Sequence, residues 1–176
     1  MRYTRLRGVT QGTRLARDTP VAVCQALLAI EPLLVHAEDD VLVAMRRSAA
    51  QPETRLLGVV DTGGTLVGVL PVLRLAEAVI ARVAPESLLT EITDLADVER
   101  FKTAVEAKVV GDLMALPATI QGEATVDAAF REMHRRHLSA LYVVDPTGRP
   151  TGYLDLLELA VNYVDALEAG TADPTT

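Results

Sequence analysis

Apolar and polar positions along this chain fall into a phrase that is written twice. Leu141-Tyr142-Val143-Val144 is a run of β-formers that stops at Asp145-Pro146-Thr147-Gly148. It resumes from Arg149 to Leu154 and passes at Asp155-Leu156-Leu157-Glu158 into a helical period. Proline fixes φ and glycine accepts a left-handed backbone, so the pattern predicts a strand, a tight turn, a second strand and a helix start. Asp155 is placed to cap that helix and Glu158, three residues on, to reach back to its first free amide. The earlier copy runs Leu57-Gly58-Val59-Val60-Asp61, Thr62-Gly63-Gly64, then Thr65 to Leu70 and Pro71. Positive φ is expected at Gly63 or Gly64 and at Gly148.

The helical periods fill the space around these hairpins. Val21 to Ile30 is apolar nearly all round, which predicts a short buried helix that Pro32 ends. A helix capped by Asp39 or Asp40 puts Val41, Ala44 and Met45 on one face. Pro71 opens another, with Leu73, Ala76, Val79, Ile80 and Val83 as its stripe. The connector holds a third, from about Asp94 to Ala107, with Leu95, Val98, Phe101, Val105 and then Val109 on one side. Leu88, Leu89 and Ile92 ahead of it are too apolar for a free linker. After a strand at Ala118-Thr119-Ile120, Thr125 caps a helix with Val126, Ala129, Phe130 and Met133. The last helix, Leu156 to Leu167, aligns Leu157, Ala160, Val161, Val164 and Leu167, and Gly170 ends it.

The duplication extends beyond the hairpins. Pro32, Glu38, Val41, Ala44 and Arg46 recur 85 residues later as Pro117, Glu123, Val126, Ala129 and Arg131, and the Val-Val-Asp and glycine positions recur 84 residues later. With Val110-Gly111-Asp112-Leu113-Met114 ahead of the second copy and His137 to Asp145 in its second strand, the chain resembles the tandem CBS domain pair, or Bateman module. Tyr142 stands where that family usually has proline. The resemblance covers roughly residues 31–84 and 108–168. It implies an α+β fold of two repeats, each strand-helix-strand-strand-helix, packed as a pair. Residues 1–30 form a basic arm and short apolar helix, 31–84 the first repeat, 85–109 a helical connector, 110–168 the second repeat and 169–176 a disordered tail.

Composition narrows the function. Aromatic residues are 3% of the chain and there is no tryptophan, so the core is built of Val, Leu, Ala and Ile. A net charge of −7 argues against a nucleic-acid partner, which needs a basic face. Five arginines and no acid lie in residues 1–17, which reads either as a solvated terminus or as an arm that docks on an acidic surface. One cysteine, Cys24, rules out an intrachain disulfide and suits a reducing compartment, and no apolar run reaches the roughly 20 residues of a membrane helix. The expectation is a cytoplasmic protein without membrane insertion. No nucleophile motif, phosphate loop or paired metal motif is present, and His134 and His137, three apart, have no third ligand nearby. The chain is therefore read as no enzyme, requiring no cofactor.

What the resemblance implies about ligands centres on the two hairpin-to-helix junctions. Family members that bind nucleotides place Ser or Thr on the phosphate and, three residues later, Asp on the ribose hydroxyls, at the free amides of a helix start. Here those positions hold Pro71 and Arg74 in the first copy, Asp155 and Glu158 in the second. A proline-started helix and a capping box explain these residues equally well. By resemblance, Pro117, Ala118, Ser139, Ala140 and Tyr142 line the base end of the second site. The ligand expected is AMP, adenosine or S-adenosylmethionine, sensed by a homodimeric regulatory module. The alternative is a ligand-free dimerisation scaffold, a subunit for a transporter or an enzyme.

Overall fold

Both hairpins form where the turn residues place them. In a computed structural model that describes residues 17–28, 30–83 and 93–171, Gly64 has φ 82° and Gly148 φ 81°. In each turn the preceding aspartate folds back on the backbone. Asp61 Oδ1 accepts the amides of Gly63 and Thr65, and Asp145 Oδ1 those of Thr147 and Arg149.

Each hairpin carries a third, parallel strand. The first repeat runs β1 (Leu34–His36), α2 (Val41–Ala50), β2 (Leu56–Val60), β3 (Leu66–Pro71) and α3 (Val72–Val83), after an N-terminal helix α1 (Val21–Leu28). The connector helix α4 (Leu95–Glu106) and a 3₁₀ turn (Val110–Asp112) lead to the second repeat. That repeat is β4 (Thr119–Gln121), α5 (Val126–Arg136), β5 (Ala140–Val144), β6 (Pro150–Asp155) and α6 (Leu156–Thr171). Both sheets have the order of their strands in sequence, with the first pair parallel and the second antiparallel. Even the register irregularity recurs, between Val59 and Val60 and between Val143 and Val144. The expected α+β pair is the fold observed.

The expected caps at Asp40 and Thr125 form, and Asp94 adds one that the sequence reading did not assign. Asp40 accepts the amides of Leu42 and Val43, Asp94 that of Asp97, and Thr125 that of Ala128. Pro71 closes β3 rather than opening a helix, and Asp155 is likewise the last residue of β6. α6 runs on through Gly170 to Thr171, into the segment expected to be a tail. The arm before residue 17, Leu88, Leu89 and Ile92 of the connector, and residues 172–176 lie outside the described residues.

The repeats are interlocked by the segments that flank them. The stretch before the first repeat pairs with the second: Val21 N–H donates to Ala124 O and Val126 N–H to Thr19 O. The stretch before the second repeat pairs with the first, through Val41 N–H on Lys108 O and Val110 N–H on Asp39 O. β2 is buried along its whole length because its two faces serve different cores. Leu56 and Val60 share a core with Ala140, Tyr142 and Leu154 of the second repeat, whereas Leu57 and Val59 meet Val41, Ala44, Leu75 and Ala78 of their own helices.

Three helices leave much of the expected apolar face outside. The expected stripe on α3 is split: Leu73 at 72%, Val83 at 78% and Ile80 are exposed and Val79 is half-buried against the core, while Leu75, Ala78 and Ala81 are buried. On α4 Leu95, Val98 and Val105 are exposed, Ala104 is buried, and of the expected face Phe101 is half-buried against the first repeat's core. On α6 Leu157, Ala160, Val161 and Val164 are exposed and Leu159 is buried. Helical period identifies a stripe but not which neighbour it meets. The short links from β3 and β6 aim α3 and α6, and the face of α3 so aimed carries Leu75, Ala78 and Ala81. α2 and α5, by contrast, bury the expected Val41 and Ala44, and Val126, Ala129 and Met133. α1 buries only one face, Val21, Cys24 and Leu28, and leaves Val23 outside.

Candidate functional site

At the start of α6, Asp155 is completely buried. Its Oδ1 accepts the Leu157 amide at 2.9 Å, so it caps the helix as expected, and also takes Arg55 Nη1 at 2.6 Å. Arg55 belongs to the first repeat, in the loop ahead of β2. The other oxygen of Asp155, Oδ2, is buried with no hydrogen-bond partner. Among the described residues Glu158 makes no return bond to the cap; it lies half-buried one turn along α6.

Two tyrosines finish the same seam. β1 begins pairing only at Leu34 opposite Gly58, so the amide and carbonyl of Leu56 lie past its end. Tyr153 Oη accepts the amides of Arg55 and Leu56 at 3.1 and 3.2 Å. The Tyr142 hydroxyl, 3.0 Å from Leu33 O and 2.9 Å from Leu56 O, shares its one proton between them. The two rings meet edge to face, 5.4 Å between centroids. Burial pushes both phenols above their ordinary range, reinforced for Tyr142 by Tyr153 and for Tyr153 by the charge of Asp155. A Cβ on Gly58 would stand 2.7 Å from the Tyr142 ring, so the glycine is the socket for that tyrosine.

The residues expected at a base end are thereby divided. Ala118, Ala140, Tyr142 and Asp155 are fully buried, and Tyr142 spends its hydroxyl on the first repeat's backbone. Pro117 is half-buried, with its carbonyl taken by Arg136 Nη1, and Ser139 is exposed, with its carbonyl accepting the Leu156 amide. Arg74 lies apart from all of these, at the first repeat's junction. There Pro71, Leu73, Arg74 and Glu77 of the β3–α3 corner, Ala96, Glu99, Arg100 and Thr103 of α4, and His137 of the second repeat line an open cleft of about 610 Å³. His137 reaches it from a left-handed backbone, φ 54°, at the end of α5. His134 and His137 have ring centroids 6.4 Å apart. No group of three metal-ligating side chains occurs among the described residues.

Arg55 and Tyr153 were not legible as site residues. Arg55 is separated from Asp155 by 100 positions. A signal did exist in the way the copies differ: the equivalents of Asp155, Tyr153 and Tyr142 are Pro71, Val69 and Gly58, and that of Arg55 is Ser139. The changes cluster at one seam.

Residues 110–164 match the model of the CBS domain family. A CBS domain-containing protein from Thermotoga maritima has the same fold, with a TM-score of 0.67 and 19% identity over 85% of this chain and 97% of its own. The CBS domain pair of protein MJ0100, solved with 5′-methylthioadenosine and S-adenosyl-L-methionine, gives 0.63 and 19% over 85% and 98%. CBSX2 from Arabidopsis thaliana, solved with AMP, gives 0.55 and 23% over 77% and 90%. No curated protein matches the chain in sequence. The second repeat is therefore a CBS domain, and the fold is that of a tandem CBS module. No helix among the described residues is long and apolar enough to cross a membrane.

Proposed function

We propose that this chain is a non-catalytic regulatory module that takes an adenosine-containing ligand between its two repeats, residues 31–84 and 110–168, and passes its state on through contacts of its outer helices. The observation that carries this reading is that each hairpin-to-helix junction is completed by the other repeat. Arg55 of the first lies on Asp155 of the second, and His137 of the second lines the cleft at Pro71 and Arg74 of the first. A molecule held at either junction touches both repeats and so biases their packing. The adenosine ligands of MJ0100 and CBSX2 support the ligand class. The outward apolar residues of α3 and α6 support a homodimer as the route of signalling.

The test is a thermal-shift and calorimetric series with adenosine, AMP, ATP and S-adenosylmethionine, alongside mass by light scattering. A ligand at 100 times its dissociation constant should stabilise the protein by about 2.7 kcal/mol. A second reading, a ligand-free dimerisation scaffold serving a transporter or an enzyme, draws on Tyr142 and Asp155 filling the seam themselves. A dimer that binds none of the four molecules would favour it, and a monomer would remove the dimer from both readings.

A further inference from the structure

A helix start ordinarily attracts an anion, because its first amides are unsatisfied and the helix dipole points its positive end there. At α6 the chain already supplies that anion, since Asp155 Oδ1 holds the Leu157 amide and the Arg55 guanidinium. The neighbouring oxygen, Oδ2, is a buried acceptor with nothing to accept from. Leaving such a group unmade is costly, so whatever enters here is rewarded for bringing a donor or a positive charge and penalised for bringing a second negative one. Among the described residues only Arg55 pairs with Asp155 from outside its own helix, and its side chain is 39% exposed, so the partner of the buried carboxylate is open to solvent.

We infer that Asp155 sets the specificity of the second junction, which takes a ligand presenting hydroxyl, amine or sulfonium groups and excludes one presenting phosphate. This rests on the reading of the module as an adenosine sensor and names which members of that class its second junction accepts. Arg55 is a positioning residue: by neutralising Asp155 it softens the exclusion without removing it.

Calorimetry with adenosine, S-adenosylmethionine, AMP and ATP tests the inference on three proteins. The wild type should bind adenosine or S-adenosylmethionine at least about tenfold more tightly than AMP or ATP, since two like charges in contact at a partly buried site disfavour each other by more than that. Asp155→Asn keeps the shape and a capping oxygen but replaces the charge with an amide. It should raise AMP affinity until it matches adenosine, while S-adenosylmethionine weakens. Arg55→Gln, which leaves the carboxylate charge uncompensated, should widen the preference against AMP; a merely structural role would weaken all four ligands together. Wild type binding AMP or ATP as tightly as adenosine, or an unchanged ratio in Asp155→Asn, would overturn the inference and leave the sensor reading standing. Absence of binding by all four in every folded variant would overturn the sensor reading and this inference with it.

Discussion

The first and second repeats share a backbone down to the same strand irregularity and the same left-handed turn glycine, yet they contribute unequally to the seam between them. The second repeat supplies Tyr142, Tyr153 and Asp155. The first supplies what they grip: the Gly58 socket, the Leu33 and Leu56 carbonyls, the Arg55 and Leu56 amides and the Arg55 guanidinium. A duplicated pair with identical seams would be free to pair like with like between chains as readily as within one. A tyrosine that needs a glycine opposite it specifies the heterologous arrangement. Turns and registers kept their residues because backbone geometry demands them, whereas the facing positions were free to become complementary.

The sharpest way to break this comparison is to empty the socket. Tyr142→Ala should cost about 3–5 kcal/mol in urea unfolding, as other buried aromatic truncations do. Tyr142→Phe, which keeps the ring but removes the hydroxyl proton from the Leu56 carbonyl, while Leu33 O keeps the Gly58 amide, should cost about 1–2 kcal/mol. The pH dependence follows from the direction of the phenol shifts. Both tyrosines have folded-state pKa values raised above the unfolded one. Their contribution is therefore complete below about pH 10, where an unfolded phenol begins to ionise, and is lost as pH rises beyond it. Unfolding midpoints measured from pH 7 to 11 should fall at the alkaline end, and less steeply in Tyr142→Phe. Equal slopes in the two proteins would show that Tyr142 is not sealed.

A smaller effect separates the two turns. Both glycines have positive φ, so alanine at either should cost about 1–2 kcal/mol of left-handed strain. A Cβ on Gly64 meets nothing within 4 Å, but one on Gly148 lies 3.1 Å from Thr65 Cγ2 of the other hairpin. Gly148→Ala should thus lower the melting temperature more than Gly64→Ala, and the excess should vanish in the Thr65→Ser background. An excess that persists there would place the cost within the turn itself.

The smallest perturbation probes the flanking segments. Cys24 on α1 is wholly buried, and desolvation pushes its thiol up to about 11. At pH 8 its labelling by a disulfide reagent should be about a hundredfold slower than in concentrated urea, because the thiolate is scarce and covered. Labelling as fast as in urea would mean that α1 leaves the second repeat readily.

Much of this was legible beforehand. The two hairpins, the duplication, the caps at Asp40 and Thr125 and the faces of α2 and α5 follow from local rules, since turn geometry and capping involve residues within a few positions of one another. The ligand-end residues were read by position in the repeat alone, which cannot tell a lining residue from a filling one; hence Tyr142 emerges as part of the packing, and Asp155 as a helix cap paired with Arg55 across the repeats. What the sequence determined by itself was therefore the set of elements, their order and their twofold repetition, because each is fixed by short-range stereochemistry. Only the tertiary structure decided that α3, α4 and α6 leave Leu73, Val83, Leu95, Leu157 and Val164 outside, and that Arg55 pairs with Asp155. Both depend on which surfaces meet across the seam, and period and spacing within one segment carry no record of the partner on the other side.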